Sequence, residues 1–584
     1  MTLRINLRFA LAAVALTGPL AACGNLDIQN PNAPERARAF SDPATIIASA
    51  AGTMKTYVNT RFTGNPALTL SPMADHLAYA WNNWNSRYYS SYGVDCPNRC
   101  GWVNSTSTQL GDQVQPYWYG MYSVLSSAND ALFAIRKAAA PPDLGTDKAR
   151  VEAIAQMAQA MAHAFLAENY DQAFIVLEDT DPLTLQLVGR QAVRDKAIEL
   201  YEKAYLLANA GTWSSGANWF GTVGGPVYTA KQLAKVIKTL EAELLAHYPR
   251  NSEENALVKW DKVAEYAALG VSSAGDGGPF DFQAQQDANF DFSSNYHQWA
   301  SDYTTVRVDT RTARLIAVNQ IDPWPGGSGN PQPVDGAGNL VPGVMGVDLR
   351  MGDGCFDAGT GADDLFGLGE CKATARSGTD YMWSPVAIQI PGRGSFHQSN
   401  IGYVKEHCLA AFFPDCPSGA GRIPIFTKSY NDLLWAEGLI RSNGSRALAA
   451  EKINNSRVGR GGLPPVVAGD PDLTLLRAMI YEQDIEGFTS APAPYFNRRR
   501  YTSAAQVVLP EAFTRLWPET PRQMPVPAKD LQLLKLEIYS FGGAGNPSGA
   551  TPGAEAGAKV KGVREIWAEI EAKNKAEARS RHRR

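Results

Sequence analysis

The 584-residue sequence predicts a mainly α-helical fold, a degenerate tetratricopeptide-like array of helix pairs supporting a loop-rich, irregular half. Three observations predict it. Apolar residues recur at three- and four-residue steps in several separated segments, the signature of helices with one buried face. These segments are rich in Ala and Tyr, as in helix pairs that bury each other's apolar faces by stacking, although no strict repeat of roughly 34 residues recurs. Residues 270–420, by contrast, are dense in Gly, Pro, Asp and aromatics with weak periodicity, the composition of long loops and short strands where binding surfaces usually sit. With 45% hydrophobic and 19% charged residues the chain can bury a large core. Its length suits two to four domains or one large helical array.

Taken in order, the chain opens with Arg4 and Arg8, an apolar run from Phe9 to Leu16 and the small residues Ala21 and Ala22. That is the arrangement of a secretory signal peptide, residues 1–22, too short to span a membrane. The sequence Leu-Ala-Ala-Cys at 20–23 resembles a bacterial lipobox, which makes Cys23 the expected site of lipid attachment and anchors the chain to a membrane without crossing it. Further on, Ile154, Met157, Met161 and Phe165 share one helical face, as do Leu233, Val236, Ile237, Leu240 and Leu244. The segment SYNDLLWAEGLIRSNG repeats the pattern, and Asn443-Gly444 supplies its stop signal. Residues 541–559 form a Gly- and Ala-rich linker. Beyond it Val563, Ile566, Trp567 and Ile570 line one face of a short terminal helix, followed by a basic tail.

A formal charge of −4, from 54 basic and 58 acidic residues, gives no reason to expect a nucleic-acid partner. Besides Cys23 there are three close cysteine pairs: Cys96 with Cys100, Cys355 with Cys371, and Cys408 with Cys416. In an exported chain, three local disulfides are the simplest expectation. The rival reading, zinc, is disfavoured because no pair has C-x-x-C spacing and no histidine is suitably placed as a partner.

No catalytic constellation stands out. The sequence lacks an H-E-x-x-H zinc motif, a G-x-S-x-G nucleophile elbow, a phosphate-binding G-x-x-x-x-G-K-[ST] and a dinucleotide G-x-G-x-x-G after a strand. The expectation is a protein that is not an enzyme, with no cofactor and no metal. Asp353, Asp357, Asp363, Asp364 and Glu370 crowd one loop but do not match EF-hand spacing, so a solvated loop is favoured over a calcium site.

Binding chemistry is better represented. The stretch DHLAYAWNNWNSRYYSSYG packs two Trp, four Tyr, three Asn and one Arg into nineteen residues. Aromatic faces stack on the apolar face of a sugar ring, while amides and a guanidinium satisfy its hydroxyls. The candidate contacts are Trp81, Asn82, Trp84, Arg87 and Tyr88, with Tyr296 and Trp299 as a second, weaker group. The alternative is that these aromatics anchor the core.

The order of motifs carries a resemblance. LDIQNPNAPERARAF follows the lipobox; YWYGMYSVLSSANDALFAI holds Trp118, Tyr122, Ala128 and Asn129 in a W-x-x-x-Y-x-x-I-x-x-A-N register; and AMAHAFLAENYDQAFIVLEDTDP leads into an aromatic-rich turn. Leu434, Ala436, Glu437, Ala450, Asn454 and Arg457 fall in a distinctive helix pair, then come LRAMIYEQDIEGF with NRRRY and RQMPVPAKDLQ. In this order the motifs resemble the SusD/RagB family. Asp530 stands where that family usually has Glu, and the chain runs past the family's usual end.

The resemblance implies four tetratricopeptide-like helix pairs and a lipoprotein of the outer membrane, facing the exterior. Its partners would be a glycan or peptide ligand and a SusC-like TonB-dependent barrel to which the ligand is delivered. It divides the chain into the signal peptide, a lipidated tether (23–40), a ligand-binding domain (41–540) and a linker with a basic C-terminal helix (541–584). The alternatives are a helical-repeat scaffold for protein partners and a surface glycoside hydrolase.

Overall fold

In the computed structural model the described residues are 41–543, apart from 64, 80–87, 90–95, 97–98, 303–305, 319–343, 353–355, 358–361, 364–378, 384–398, 400, 412–415, 491, 504–513 and 518. Among the described residues, nine helices build the scaffold: α1 (Pro43–Thr63), α2 (Gln115–Arg136), α3 (Lys148–Asn169), α4 (Arg190–Ala210), α5 (Ala230–His247), α6 (Trp260–Leu269), α7 (Lys428–Arg441), α8 (Arg446–Arg457) and α9 (Asp472–Glu486). Each packs on the next in sequence, so the array runs as the stacked pairs α1/α2, α3/α4, α5/α6 and α7/α8, with α9 laid on the last.

Local signals set these helices. The Thr229 side chain accepts from the Gln232 amide while Gln232 answers the Thr229 amide, a reciprocal cap that starts α5. Thr427 and Ser445 cap α7 and α8 through the amides of Tyr430 and Leu448. The expected stop after α7 is present: Asn443 takes a positive φ of 55° and the Gly444 amide bonds back to Leu439. The apolar stripes face inward, with Ile154, Met157, Met161 and Phe165 of α3 and Leu233, Val236, Ile237, Leu240 and Leu244 of α5 all buried. The array is therefore helical in the way the three- and four-residue steps predict.

The irregular half is an excursion between α6 and α7. Short strands meet there: β2 (Phe282–Gln286), β3 (Val306–Val308) and β4 (Gly421–Phe426) lie within it, β2 antiparallel to β4, while β1 (Leu77–Tyr79), from the stretch between α1 and α2, pairs antiparallel with β3. A small sheet joins 351–352, 381–383 and 401–403. The excursion leaves and re-enters the array at one place. Asn431 of α7 donates to the Ala267 carbonyl of α6 at 2.9 Å, Ser272 donates to the Lys428 carbonyl at 3.2 Å, and α6 packs directly on α7.

Family-like motif residues turn out to be fasteners of this frame. Trp118 is buried edge-on against Tyr122 and Tyr170, and the Tyr122 hydroxyl both donates to the Phe174 carbonyl and accepts from its amide. Asn129 donates to the Val176 carbonyl. Asn454 holds both the amide and the carbonyl of Val466, and Arg457 donates to the Pro464 carbonyl. In the NRRRY segment Arg498 pairs with Asp484 at 2.8 Å and Arg500 with Glu437 at 2.7 Å, tying the segment after α9 to α7 and α9.

Candidate functional site

The aromatic segment is fixed at both ends. Before it, β1 is locked to β3 in the register Leu77 to Val308. After it, a disulfide joins Cys96 and Cys100, with Cα atoms 5.4 Å apart. Between the two, Arg99 is fully buried, pairs with Asp75 and donates to the Tyr89 carbonyl at 3.1 Å. Burial pushes the Asp75 carboxyl up while Arg99 and Arg311 oppose it. The Trp102 indole donates to the Gln523 carbonyl at 2.8 Å, and the Tyr89 ring lies 5.0 Å from it. The described residues that flank the segment are thus held on a packed frame, and recognition groups are best held by such rigid support.

Of the predicted contacts, Tyr88 is half-buried and packs edge-on to Tyr89 at 4.9 Å. Trp81, Asn82, Trp84 and Arg87 lie outside the described residues. Tyr296 is a core residue: it is fully buried, its hydroxyl donates to the Phe488 carbonyl at 3.2 Å, and its ring presents no face to a ligand. Trp299 is half-buried and packs on the core. The acidic loop falls largely outside the described residues; Phe356–Asp357 and Ala362–Asp363 pair as antiparallel strands.

A second disulfide joins Cys408 and Cys416. The expectation that no histidine is suitably placed beside a cysteine pair needs correction. His407, next to Cys408 in sequence, turns its Nε2 to within 3.6 Å of one sulfur and 3.9 Å of the other. Cys23, Cys355 and Cys371 lie outside the described residues.

One cleft lies apart from the aromatic segment. It encloses about 470 Å³ where α8, α9 and the 346–348 strand exit meet, with Leu315, Leu463 and Val466 as apolar wall and Arg457, Arg477 and Tyr481 as polar groups. Asp348 and Tyr481 of its lining also belong to a buried charge cluster that sequence reading did not assemble. Arg350, with no exposed surface, donates to Asp348, Glu482 and Glu486, and Tyr481 donates to Asp348 at 2.7 Å. The volume is ordinary for a small-molecule site. The cluster's acidic half, Glu482 and Glu486 with Tyr481, sits in the quoted LRAMIYEQDIEGF motif, but nothing in the weakly periodic stretch marks out Asp348 and Arg350 as its partners.

No family model and no curated protein sequence matches the chain. Solved structures do. The surface glycan-binding protein A of Bacteroides thetaiotaomicron is similar over 86% of this chain and 99% of its own, at 14% identity and a TM-score of 0.51. A SusD superfamily protein of Parabacteroides distasonis is similar over 84% of this chain and 96% of its own, at 11% identity and the same TM-score. At such identities the likeness is one of fold. Among the described residues no helix is long and apolar enough to cross a membrane.

Proposed function

We propose, on the premise of a SusD-like fold, that this protein is a non-catalytic surface binder that captures oligosaccharides through the aromatic–amide segment at 75–93. The observation that carries the reading is the anchoring of that segment by β1 on one side and by Arg99 and the Cys96–Cys100 bridge on the other. A scaffold shared with a protein described as glycan-binding supports it. On this reading Trp81 and Trp84 stack on sugar rings, and Asn82 and Arg87 hydrogen-bond their hydroxyls. The test is titration of the purified protein with an oligosaccharide panel, followed by W81A/W84A. The double variant is expected to weaken binding at least about tenfold, since buried Trp contacts commonly carry 2 kcal/mol or more, with its thermal transition unchanged. Undiminished affinity would rule out this segment as the site.

The same proposal places the protein in the outer membrane by lipid on Cys23, delivering ligand to a TonB-dependent barrel. Cys23→Ser is expected to release the protein from membranes or block its processing. A mild-detergent pull-down is expected to bring the barrel with it; a lipidated, intact protein that emerges alone would overturn the delivery role.

A further inference from the structure

We infer that His407, Cys408 and Cys416 form a redox-gated metal site, taking Zn2+ when the cysteine pair is reduced and excluding it when the disulfide is closed. Three independent features of the loop converge on this.

The first is the ring's orientation. His407 is buried, and its Nδ1 lies 3.0 Å from the Val404 carbonyl. A carbonyl only accepts, so Nδ1 carries the proton, and in the neutral ring the Nε2 lone pair is the one turned to the sulfurs. A histidine whose second nitrogen is held by a backbone carbonyl is the arrangement that orients imidazole towards a metal.

The second is spacing. Zinc binds thiolate sulfur at about 2.3 Å and imidazole nitrogen at about 2.0–2.1 Å, so tetrahedral ligands sit about 3.6 Å apart, nitrogen to sulfur. Nε2 already stands 3.6 and 3.9 Å from the two Sγ atoms. Only the sulfurs have to move, apart from each other, and their Cα atoms at 5.0 Å keep them neighbours once the bond opens.

The third is support that does not depend on the disulfide. The buried Gln286 side chain, on β2, donates to the Leu409 carbonyl at 2.8 Å and to the Gly419 carbonyl at 2.6 Å, clamping both ends of the loop. The Ala410 amide bonds to the His407 carbonyl and the Gly419 amide to the Cys416 carbonyl. The turn also packs on the 295–300 helix and on β4. Such bracing keeps a ligand set in place before the ion arrives.

The chemistry balances simply. Two molecules of a low-molecular-weight thiol together give two electrons and two protons to the disulfide, by way of a mixed disulfide, and leave joined as their own disulfide. Zn2+ then displaces the two thiol protons and is bound by two thiolates and Nε2. Cys408 and Cys416 are only half-buried, so water completes the coordination.

The full chain in detergent is reduced with a phosphine, freed of reductant and metal, and titrated with Zn2+ against a chromogenic chelator. Co2+ is used in parallel to report thiolate ligation by its charge-transfer absorption. The reduced protein is expected to bind one Zn2+ more than the oxidised protein. C408S/C416S is expected to lose that equivalent and the cobalt band, C96S/C100S to keep both, and H407A and H407Q to weaken it at least about tenfold. Equal Zn2+ uptake by reduced protein and C408S/C416S, or undiminished affinity in both His407 variants, would overturn the assignment. Where C408S/C416S fails to fold, the His407 variants decide the matter, since only ligation at this site makes the cobalt band depend on His407.

Discussion

At Glu437 one carboxylate meets two guanidiniums. It accepts from Arg500 at 2.7 Å, Arg441 at 2.6 Å and Gln483 at 2.9 Å, with no exposure of its own. Burial raises its pKa, but Arg500 and Arg441 outweigh burial and hold it down at about 2. A carboxyl lowered from 4.5 stabilises the fold fully above pH 4.5 and loses that contribution as pH falls towards 2, about 3 kcal/mol in all. Glu437→Gln strands the buried Arg500 charge and is expected to cost roughly 3–5 kcal/mol at pH 7. The same variant should flatten the acid limb between pH 4.5 and 2. Denaturant titrations at pH 7 and pH 3 check both effects, and parent-like stability at pH 7 would contradict the account. Glu437 also shows what a sequence motif can conceal: it was legible as a family-like residue, but its role as the anchor of Arg500 was not, because the partner lies sixty-three positions on.

At the scale of elements, Gly438 of α7 lies directly against the backbone of α6. A Cβ there would stand 2.6 Å from the Ala264 nitrogen and 2.8 Å from the Trp260 oxygen, both rigid backbone. Gly438→Ala is expected to destabilise by about 1–3 kcal/mol through overpacking. Gly52, inside α1, has nothing within 4 Å of its Cβ position, so Gly52→Ala is expected to stabilise by about 0.5–1 kcal/mol. Thermal melts of the two variants should move in opposite directions; a common direction would refute the packing argument. The long helices were legible because their apolar steps persist for several turns, as in α3 and α5. Strands of three residues such as β1 and β3 were not, since so short a run cannot display a two-residue alternation. Tyr296, a weaker contact candidate from the loop-rich middle, takes the alternative role of core anchor, and its polar neighbour His297 is satisfied inside the core by the Ser294 hydroxyl and the Thr489 carbonyl.

Across the described residues, a set of buried histidines and one group of buried carboxyls shift in opposing directions. Burial holds His76 and His297 at about 3 and His163 at about 4. Burial also raises Glu168 and Glu241 to about 8 and Asp484 and Glu406 to about 7. Below pH 6.5 the unfolded histidines take protons that the folded ones refuse, which erodes stability as pH falls. The raised carboxyls work the other way: their contribution is complete below about pH 4.5 and is lost as pH rises through 7 to 8. The two slopes offset between pH 4.5 and 6.5, so stability is expected to be broad and maximal there and to fall on both sides. Urea midpoints from pH 4 to 9 test this, with Glu241→Gln expected to lessen the loss above pH 6.5. A steady rise in stability from pH 5 to 8 would exclude it. The closure of the excursion at α6 and α7 has a different consequence, one of ancestry. Because the chain returns at Lys428 to the place it left after Leu269, helices on either side keep their seats whatever lies between. Descendants of such a scaffold can rewrite the excursion, in length as well as sequence, while the array stays put, so that the surface the excursion presents and how firmly the protein stands are free to change at separate rates.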